Sequence, residues 1–116
     1  MISWKEGERY AAEYLEGKGY RIIERNFRTR RGEIDIIAAS YDTLVCVEVK
    51  TWKDPSLEYM EHTIDGRKRR TYIQVCNSFT YMNQEYSGYF IRFDLICIDA
   101  INGSIKHIKN AFTENG

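Results

Sequence analysis

Four charged residues lie in two short segments rich in β-branched residues: Glu33, Asp35, Glu48 and Lys50. Apolar residues alternate with other residues in both segments, which predicts two β-strands. Because neighbouring side chains on a strand point to opposite faces, Glu33 and Asp35 are expected on one face. Ile34 and Ile36 are expected on the other. Glu48 and Lys50 share a face in the same way.

A short stretch joins the two segments, and Tyr41 and Asp42 are placed to form a two-residue hairpin loop. That loop sets Asp35 opposite Glu48, with Cβ atoms about 5 Å apart. It also sets Glu33 opposite Lys50. Directly opposed carboxylates repel each other, whereas a divalent cation between them would make the arrangement favourable.

The alternative is an amphipathic hairpin whose charges face solvent, with Lys50 as an ion-pair partner. Short charged motifs often occur without function, so the pattern alone leaves both interpretations open. The runs 36–38 and 45–47 are too apolar for edge strands with a wet face. The charged residues are therefore expected at the ends of buried strands, where their presence calls for a functional explanation.

An Asp on one strand followed by Glu-x-Lys on the next resembles the PD-(D/E)XK nuclease superfamily. The wider chain resembles one branch, the YraN-like family of bacterial predicted endonucleases, related to archaeal Holliday junction resolvases. The matching residues run in order along nearly the whole chain: Gly7-Glu8-Arg9, Ala11-Ala12, Leu15, Gly19-Tyr20-Arg21-Ile22, Arg25-Asn26-Phe27-Arg28, Gly32-Glu33-Ile34-Asp35-Ile36-Ile37-Ala38, Leu44-Val45-Cys46-Val47-Glu48-Val49-Lys50-Thr51, Lys68 and Arg92-Phe93-Asp94. There are two departures. Trp52 stands where the family usually has Arg, and residues 54–62 match nothing in it.

The resemblance implies metal-dependent hydrolysis of phosphodiester bonds in DNA, including branched or Holliday-junction DNA. The implied catalytic residues are Glu8, Asp35, Glu48 and Lys50. Glu8, Asp35, Glu48 and the Val49 carbonyl would hold Mg²⁺ or Mn²⁺. Lys50 would orient or deprotonate the attacking water, or stabilise the transition state. Glu33 would lie outside the ligands, paired with Lys50.

Two hypotheses from other classes remain open at this point. One is a non-catalytic nucleic-acid-binding module on the same fold, and the other is an interaction protein for which the hairpin is only scaffold. The complete Asp, Glu and Lys set argues against a binding module, which has no use for opposed carboxylates. Only the nuclease hypothesis requires that the protein bind a metal ion and that substitution of Asp35 or Glu48 abolish this binding.

Two basic clusters flank these residues in the sequence: Arg28, Arg30 and Arg31, and then Arg67, Lys68 and Arg69. Either cluster can be a solvated surface, the usual fate of charge runs. Arginine also binds phosphate in bidentate fashion, which favours phosphate contact beside an acidic site. The second cluster opens a predicted helix, where cations oppose the helix dipole but anions bind readily. The formal net charge is zero, so DNA binding must depend on such local patches.

The whole chain of 116 residues has the composition of an ordinary globular protein, 43% hydrophobic and 29% charged. That length predicts a single domain, residues 1–116, of the nuclease-like type. Three cysteines with no zinc-site spacing predict reduced, buried thiols in a cytoplasmic protein. Neither a signal peptide nor a membrane-spanning apolar run is apparent, so no membrane partner is expected.

Local signals predict the elements that position the charges. Ser3 with Glu6 forms a capping-box pattern, so a first helix is expected from Ser3 to a stop at Gly19. Glu8 borders its apolar stripe, either stabilising the helix dipole or delivering a carboxylate to the site. The other predicted elements are strand 20–27, turn 28–32, mobile loop 52–63, helix 65–85, strand 89–99, strand 104–108 and a loose tail 110–116. These predict an α/β fold with a restriction-endonuclease-like core, a central mixed five-stranded sheet flanked by two main helices.

A homodimer is expected to be the working unit on DNA. A four-way junction is two-fold symmetric, and a chain this small has room for one site, so two related cuts need two chains. Aromatic residues late in the second helix and early in the next strand offer an interface: Tyr81, Tyr86, Tyr89 and Phe90. A monomer burying the same side chains in its own fold is the alternative.

Overall fold

The computed structural model describes residues 1–53 and 66–112. Its elements are α1 (Trp4–Gly17), β1 (Arg21–Thr29), β2 (Gly32–Ser40), β3 (Thr43–Trp52), α2 (Gly66–Met82), a short 3₁₀ helix (Gln84–Tyr86), β4 (Phe90–Asp99) and β5 (Ile105–Phe112). The strands form one five-stranded sheet in the order β1-β2-β3-β4-β5. Among the strands of the described ranges, only β3 and β4 pair in parallel. The predicted α/β fold, with a mixed sheet and two main helices, is confirmed. In the described ranges, no helix has both the length and the apolar character needed to cross a membrane.

Helix α1 begins and ends where its local sequence predicts. The Ser3 hydroxyl accepts from the Glu6 N–H at 3.1 Å, and Glu6 Oε1 accepts from the Ser3 N–H at 3.0 Å. This capping box satisfies two N–H groups at the helix end. Gly19 then adopts a φ of +92°, a conformation that glycine reaches without the steric cost of a Cβ atom.

Each face of the sheet carries one helix and one apolar cluster. Buried residues on the α1 face are Ala11, Ala12, Leu15, Ile36, Ala38, Val45, Val47, Val49, Ile96 and Ile98. Those on the α2 face are Ile34, Ile37, Leu44, Cys46, Val75, Cys76, Phe79, Tyr86, Phe93, Leu95, Cys97 and Phe112. Strand β3 alternates between the two sets, as expected for a strand buried on both sides. All three cysteines are buried and free, as predicted.

The β2–β3 pairing follows the predicted register only in part. It runs from Ser40 opposite Thr43 to Ile36 opposite Val47, where the ladder ends. The expected pairs of Asp35 with Glu48 and of Glu33 with Lys50 are therefore not part of it. The predicted facing of β2 is also wrong, because Ile34 packs in the α2 cluster and Ile36 in the α1 cluster. The alternation of side chains is thus broken at Asp35.

Strand β1 is longer than predicted, and its turn is shorter. Arg28 pairs with Glu33 and Thr29 with Gly32, so only Arg30 and Arg31 form the turn. The strand extends this far because it pairs with β2 along that length. Of the predicted loop 52–63, Trp52 belongs to β3 and packs against the α2-face core. His62 and most of the remaining loop lie outside the described residues.

The predicted C-terminal tail is wrong for residues 110–112, which belong to β5. Phe112 is buried, and its ring stacks on Phe93 with centroids 4.7 Å apart. The ring of Tyr72 also stacks on Phe112, with centroids 6.0 Å apart. This aromatic stack explains why the strand continues past Ile108.

Two of the four aromatics expected at an interface belong to the core instead. Tyr86 is 8% exposed, packed between Phe79 and Tyr89 at centroid distances of 5.8 and 5.1 Å. Tyr89 itself is partly buried against the same cluster. Tyr81 and Phe90 are exposed, so only these two stay available for a partner.

Candidate functional site

An open cleft lies beside the first turns of α1 and the end of the β2–β3 ladder. Its lining residues come from four elements: Trp4, Lys5, Glu8, Arg25, Asn26, Arg28, Glu33, Asp35, Glu48 and Val49. The cleft therefore brings together half of the twelve predicted site residues, namely Glu8, Glu33, Asp35, Glu48, Val49 and Arg28. Lys50 adjoins it through Glu48. The remaining basic residues lie on neighbouring surface.

Asp35 occupies the position where β2 and β3 stop pairing. Its Oδ2 atom accepts a hydrogen bond of 2.8 Å from the Val49 backbone N–H. A side-chain carboxylate thus takes the place of a main-chain acceptor, and the two strands separate beside it. The sequence predicts a role for the Val49 carbonyl, and the structure adds a contact of the Val49 N–H with Asp35.

The electrostatic environment of Asp35 disfavours a negative charge. Burial raises the pKa most, and the nearby charge of Glu48 raises it further. The Val49 N–H lowers the pKa, but Glu8 and Glu33 add to the increase, and the result is a pKa of about 8. These surroundings therefore favour the protonated form of Asp35 when no cation is bound.

Glu8 reaches the same point from α1, where the residue is buried. Burial is also the largest cause that raises its pKa, with smaller contributions from the charges of Glu33 and Glu48. A hydrogen bond with Asp35 acts in the opposite direction. Two carboxyl groups in such contact share a proton, which a cation could replace.

Glu48 is held by one group that the sequence predicts and one that it does not. Its Oε1 atom lies 3.5 Å from Lys50 Nζ. Its Oε2 atom accepts a hydrogen bond from the hydroxyl of Tyr72, on α2. Burial raises the pKa of Tyr72, and the negative charge of Glu48 adds to this, so the phenol remains a donor. Nothing in the sequence around Tyr72 distinguishes it from an ordinary partly buried helix residue.

Asn26 is a second contributor that sequence reasoning missed. With its Nδ2 facing the carboxylates, it donates to Glu33 Oε1 at 3.1 Å and to Glu8 Oε1 at 3.2 Å. Its φ is +55°, which asparagine tolerates better than most residues. An asparagine inside a predicted strand is the signal that could have found it.

Glu33 pairs with Arg28 rather than with Lys50 as predicted. Arg28 Nη2 lies 3.2 Å from Glu33 Oε2, because strand pairing places the two residues opposite each other. The Arg28 side chain is 75% exposed, so this pair contributes little to stability. The guanidinium can exchange Glu33 for another anion at the mouth of the cleft.

The two basic clusters lie next to each other in space. A Cβ atom on Gly32 would lie 2.6 Å from Thr71 Cγ2, so the β1–β2 turn lies directly against the start of α2. Arg30 and Arg31 immediately precede Gly32, and the cluster at 67–69 is in the turn of α2 before Thr71. Arg67 and Lys68 are exposed and Arg69 is half-buried. Together they form a basic surface beside the acidic cleft.

The donor atoms of the cleft suit a hard cation by their chemistry. Within residues 1–53 and 66–112, no three His, Cys, Asp or Glu side chains stand in a ready metal-binding arrangement. Mg²⁺ and Mn²⁺ nevertheless prefer oxygen ligands, which the cleft supplies. Carboxyl groups from α1, β2 and β3 line the same cleft, and the raised pKa values of Asp35 and Glu8 favour a proton there when no cation is bound. Glu8, Asp35 and Glu48 are thus the side chains that could hold a metal ion.

Comparison with known proteins gives the family of the chain. Residues 7–98 match the family described as "Uncharacterised protein family UPF0102". The chain belongs to the UPF0102 family. A UPF0102 protein of Persephonella marina is 48% identical over 115 residues, which cover 97% of each chain. UPF0102 proteins of Alkaliphilus oremlandii and Thermodesulfovibrio yellowstonii are each 39% identical, covering 91% and 93% of this chain and 93% of their own. The family match, residues 7–98, includes every acidic residue of the cleft but not Trp4.

Proposed function

We propose that this UPF0102 protein is a metal-dependent endonuclease that hydrolyses phosphodiester bonds in DNA. The observation that carries the proposal is the meeting of Glu8, Asp35 and Glu48 in one open cleft. They come from three different elements, and the β2–β3 ladder is interrupted to accommodate them. A purely structural role does not explain this arrangement, because burial and the charges of neighbouring carboxylates raise the pKa values of Asp35 and Glu8, so their ionised forms are disfavoured in the fold.

In this proposal Glu8, Asp35 and Glu48 hold Mg²⁺ or Mn²⁺. When bound, the ion would make a coordinated water more acidic and neutralise charge on the scissile phosphate. Tyr72 and Asn26 fix the carboxylates through the hydrogen bonds described above. Orienting partners of this kind tune the affinity of metal sites.

Lys50 has the role of positioning the attacking water or stabilising negative charge at the phosphate. Its ammonium group lies against Glu48 and has three donors, but it cannot ligate a cation while protonated. Arg28, at the mouth of the cleft, and the basic surface at 30–31 and 67–69 contact the flanking phosphates. The three free, buried thiols support a cytoplasmic location, where thiols stay reduced.

Calorimetric titration of Mn²⁺ and Mg²⁺ into the protein tests the metal-binding part of the proposal. We expect binding by the wild type and loss of binding in Asp35→Asn and Glu48→Gln. Glu85→Gln is the matched control, since Glu85 is exposed in the 3₁₀ helix and does not line the cleft. Equal binding by all four proteins would contradict the assignment of the ligands.

A further inference from the structure

Trp4 is the first residue of α1, and its side chain is 63% exposed. Tryptophan is highly buried on average, so an exposed indole calls for an explanation. The indole lies at the cleft, in the same lining as Glu8, Asp35 and Glu48. An exposed indole thus lies beside the residues to which we assign hydrolysis.

Cationic side chains line the same cleft as the Trp4 ring. Lys5 Nζ lies 5.5 Å from the centroid of the Trp4 ring, and both residues line the cleft. Arg25 and Arg28 line it as well. A groove that combines cations for the phosphates with an aromatic face for a base is typical of single-strand binding sites.

The indole cannot stack on a base of a continuous duplex, because each base there is already stacked on its neighbours. Only an unpaired or extruded base offers a free face to an indole. We propose that Trp4 stacks on an unpaired base of the DNA, and that the enzyme therefore cuts beside single-stranded segments such as flaps, gaps or free strands. This inference rests on the proposed function, which makes DNA the occupant of the cleft.

The fluorescence of Trp4 measures stacking directly, without any need for cleavage. Trp4 and Trp52 are the two tryptophans of the chain, so Trp52→Phe leaves Trp4 as the only indole. A 12-nucleotide single strand and the blunt duplex of the same sequence are titrated into this variant in EDTA, which prevents hydrolysis. We expect the single strand to quench the emission strongly and the duplex to leave it nearly unchanged. Equal quenching by both, or by neither, would overturn the inference.

Substitution of the ring gives a second, independent measurement. In the otherwise wild-type chain, Trp4→Leu should weaken binding of the single strand about tenfold, the order expected for one stacked base. Trp4→Phe, which keeps an aromatic face, should retain most of the affinity. Tyr41→Leu is the matched control, because Tyr41 is an exposed aromatic in the β2–β3 loop, outside the cleft. Unchanged single-strand affinity in Trp4→Leu would refute the role of the ring.

Cleavage with Mn²⁺ separates this inference from the proposed function. Trp4-dependent single-strand binding without any cleavage supports the stacking site and contradicts the nuclease. Cleavage whose preference between flapped and continuous duplex DNA is the same in wild type and Trp4→Leu supports the nuclease and overturns the inference. Loss of that preference in Trp4→Leu supports both.

Discussion

At the scale of single residues, the protonation of Asp35 is expected to have the largest effect on how stability depends on pH. Its surroundings raise its pKa to about 8, far above the value of roughly 3.9 in an unfolded chain. The folded protein therefore binds this proton more tightly than the unfolded protein does. The resulting stabilisation is complete below about pH 4 and is lost as the pH rises through about 8.

We predict that the free energy of unfolding of the metal-free protein falls by more than about 1 kcal/mol between pH 5 and pH 8. Asp35→Asn, which carries no titrating group, should remove most of this decrease. Urea unfolding in EDTA at several pH values measures both proteins, with Glu85→Gln as the control for loss of an exposed carboxylate. The same pH dependence in Asp35→Asn and wild type would show that the pKa of this carboxyl is not raised.

The residues that sequence reasoning missed are those whose role arises only from three-dimensional contact. Glu48 and Lys50 could be predicted as neighbours, because strand alternation is a local rule. The Tyr72 hydroxyl reaches Glu48 only because α2 packs across the sheet. The pairing of Glu33 depends on the β1–β2 register, which places Arg28 opposite it. A sequence pattern reveals neither of these two contacts.

At the scale of elements, α1 positions Glu8 through a close approach to β3. A Cβ atom on the buried Gly7 would lie 2.0 Å from Thr51 Oγ1 and 3.2 Å from Thr51 Cβ. Replacement of helical Gly by Ala normally stabilises a helix by about 1 kcal/mol. An overlap of this size outweighs that gain, since overpacking costs about 1–3 kcal/mol.

We therefore predict that Gly7→Ala lowers the free energy of unfolding, measured with urea. Gly17→Ala is the matched control: its Cβ atom would meet nothing within 4 Å, so this variant should be neutral or more stable. Thr51→Ala should restore part of the stability of Gly7→Ala, because it removes Oγ1, a buried atom with no hydrogen-bond partner among the described residues. Greater stability in Gly7→Ala would contradict the close packing of α1 on β3.

We propose that the β1–β2 turn and the start of α2 contact DNA as one basic surface. Reversing the charge of Arg30 and Arg31, or of Arg67 and Arg69, should weaken DNA binding in either case. The salt dependence should also flatten, by about 0.7–0.9 in the slope of log K against log salt for each phosphate that the variant no longer neutralises. Lys18→Glu with Lys109→Glu is the control pair, because both line a different pocket at the other end of α1. If both Arg variants have the same slope of log K against log salt as wild type, the clusters are only solvated surface.

The elements themselves were largely predictable, because their signals are local. The capping box gives the start of α1, and the two-residue loop gives the β2–β3 register as far as Ile36. The break at Asp35 was not predictable, since alternation is the rule that it violates. The continuation of β5 through residues 110–112 was not predictable either, because the stack of Phe112 on Phe93 joins positions distant in sequence.

At the scale of the whole molecule, we propose that two chains act together on DNA. Each chain offers one acidic cleft among its described residues, so two related cuts require two chains. Tyr81 and Phe90, 81% and 69% exposed, are the aromatics available for an interface. Light scattering should give a two-chain mass with junction DNA, reduced to one chain in Tyr81→Glu with Phe90→Glu. A single-chain mass with junction cleavage intact would exclude the dimer and indicate single cuts.

The central claim is that the carboxylate cleft hydrolyses DNA with a metal ion. Its most direct test is a cleavage assay with Mn²⁺ on branched, flapped, single-stranded and duplex DNA. Wild type, Asp35→Asn, Glu48→Gln, Lys50→Ala and the Glu85→Gln control are to be purified identically. We predict cleavage of at least one substrate by wild type and the control, and only with metal. Asp35→Asn and Glu48→Gln should lose both cleavage and Mn²⁺ binding.

Lys50→Ala should keep Mn²⁺ binding but reduce cleavage by about 10²-fold or more, because the lysine acts on the reaction and not on the ion. Equal cleavage by wild type and by Asp35→Asn or Glu48→Gln would contradict the account, as would a wild type that binds Mn²⁺ and cuts none of the substrates.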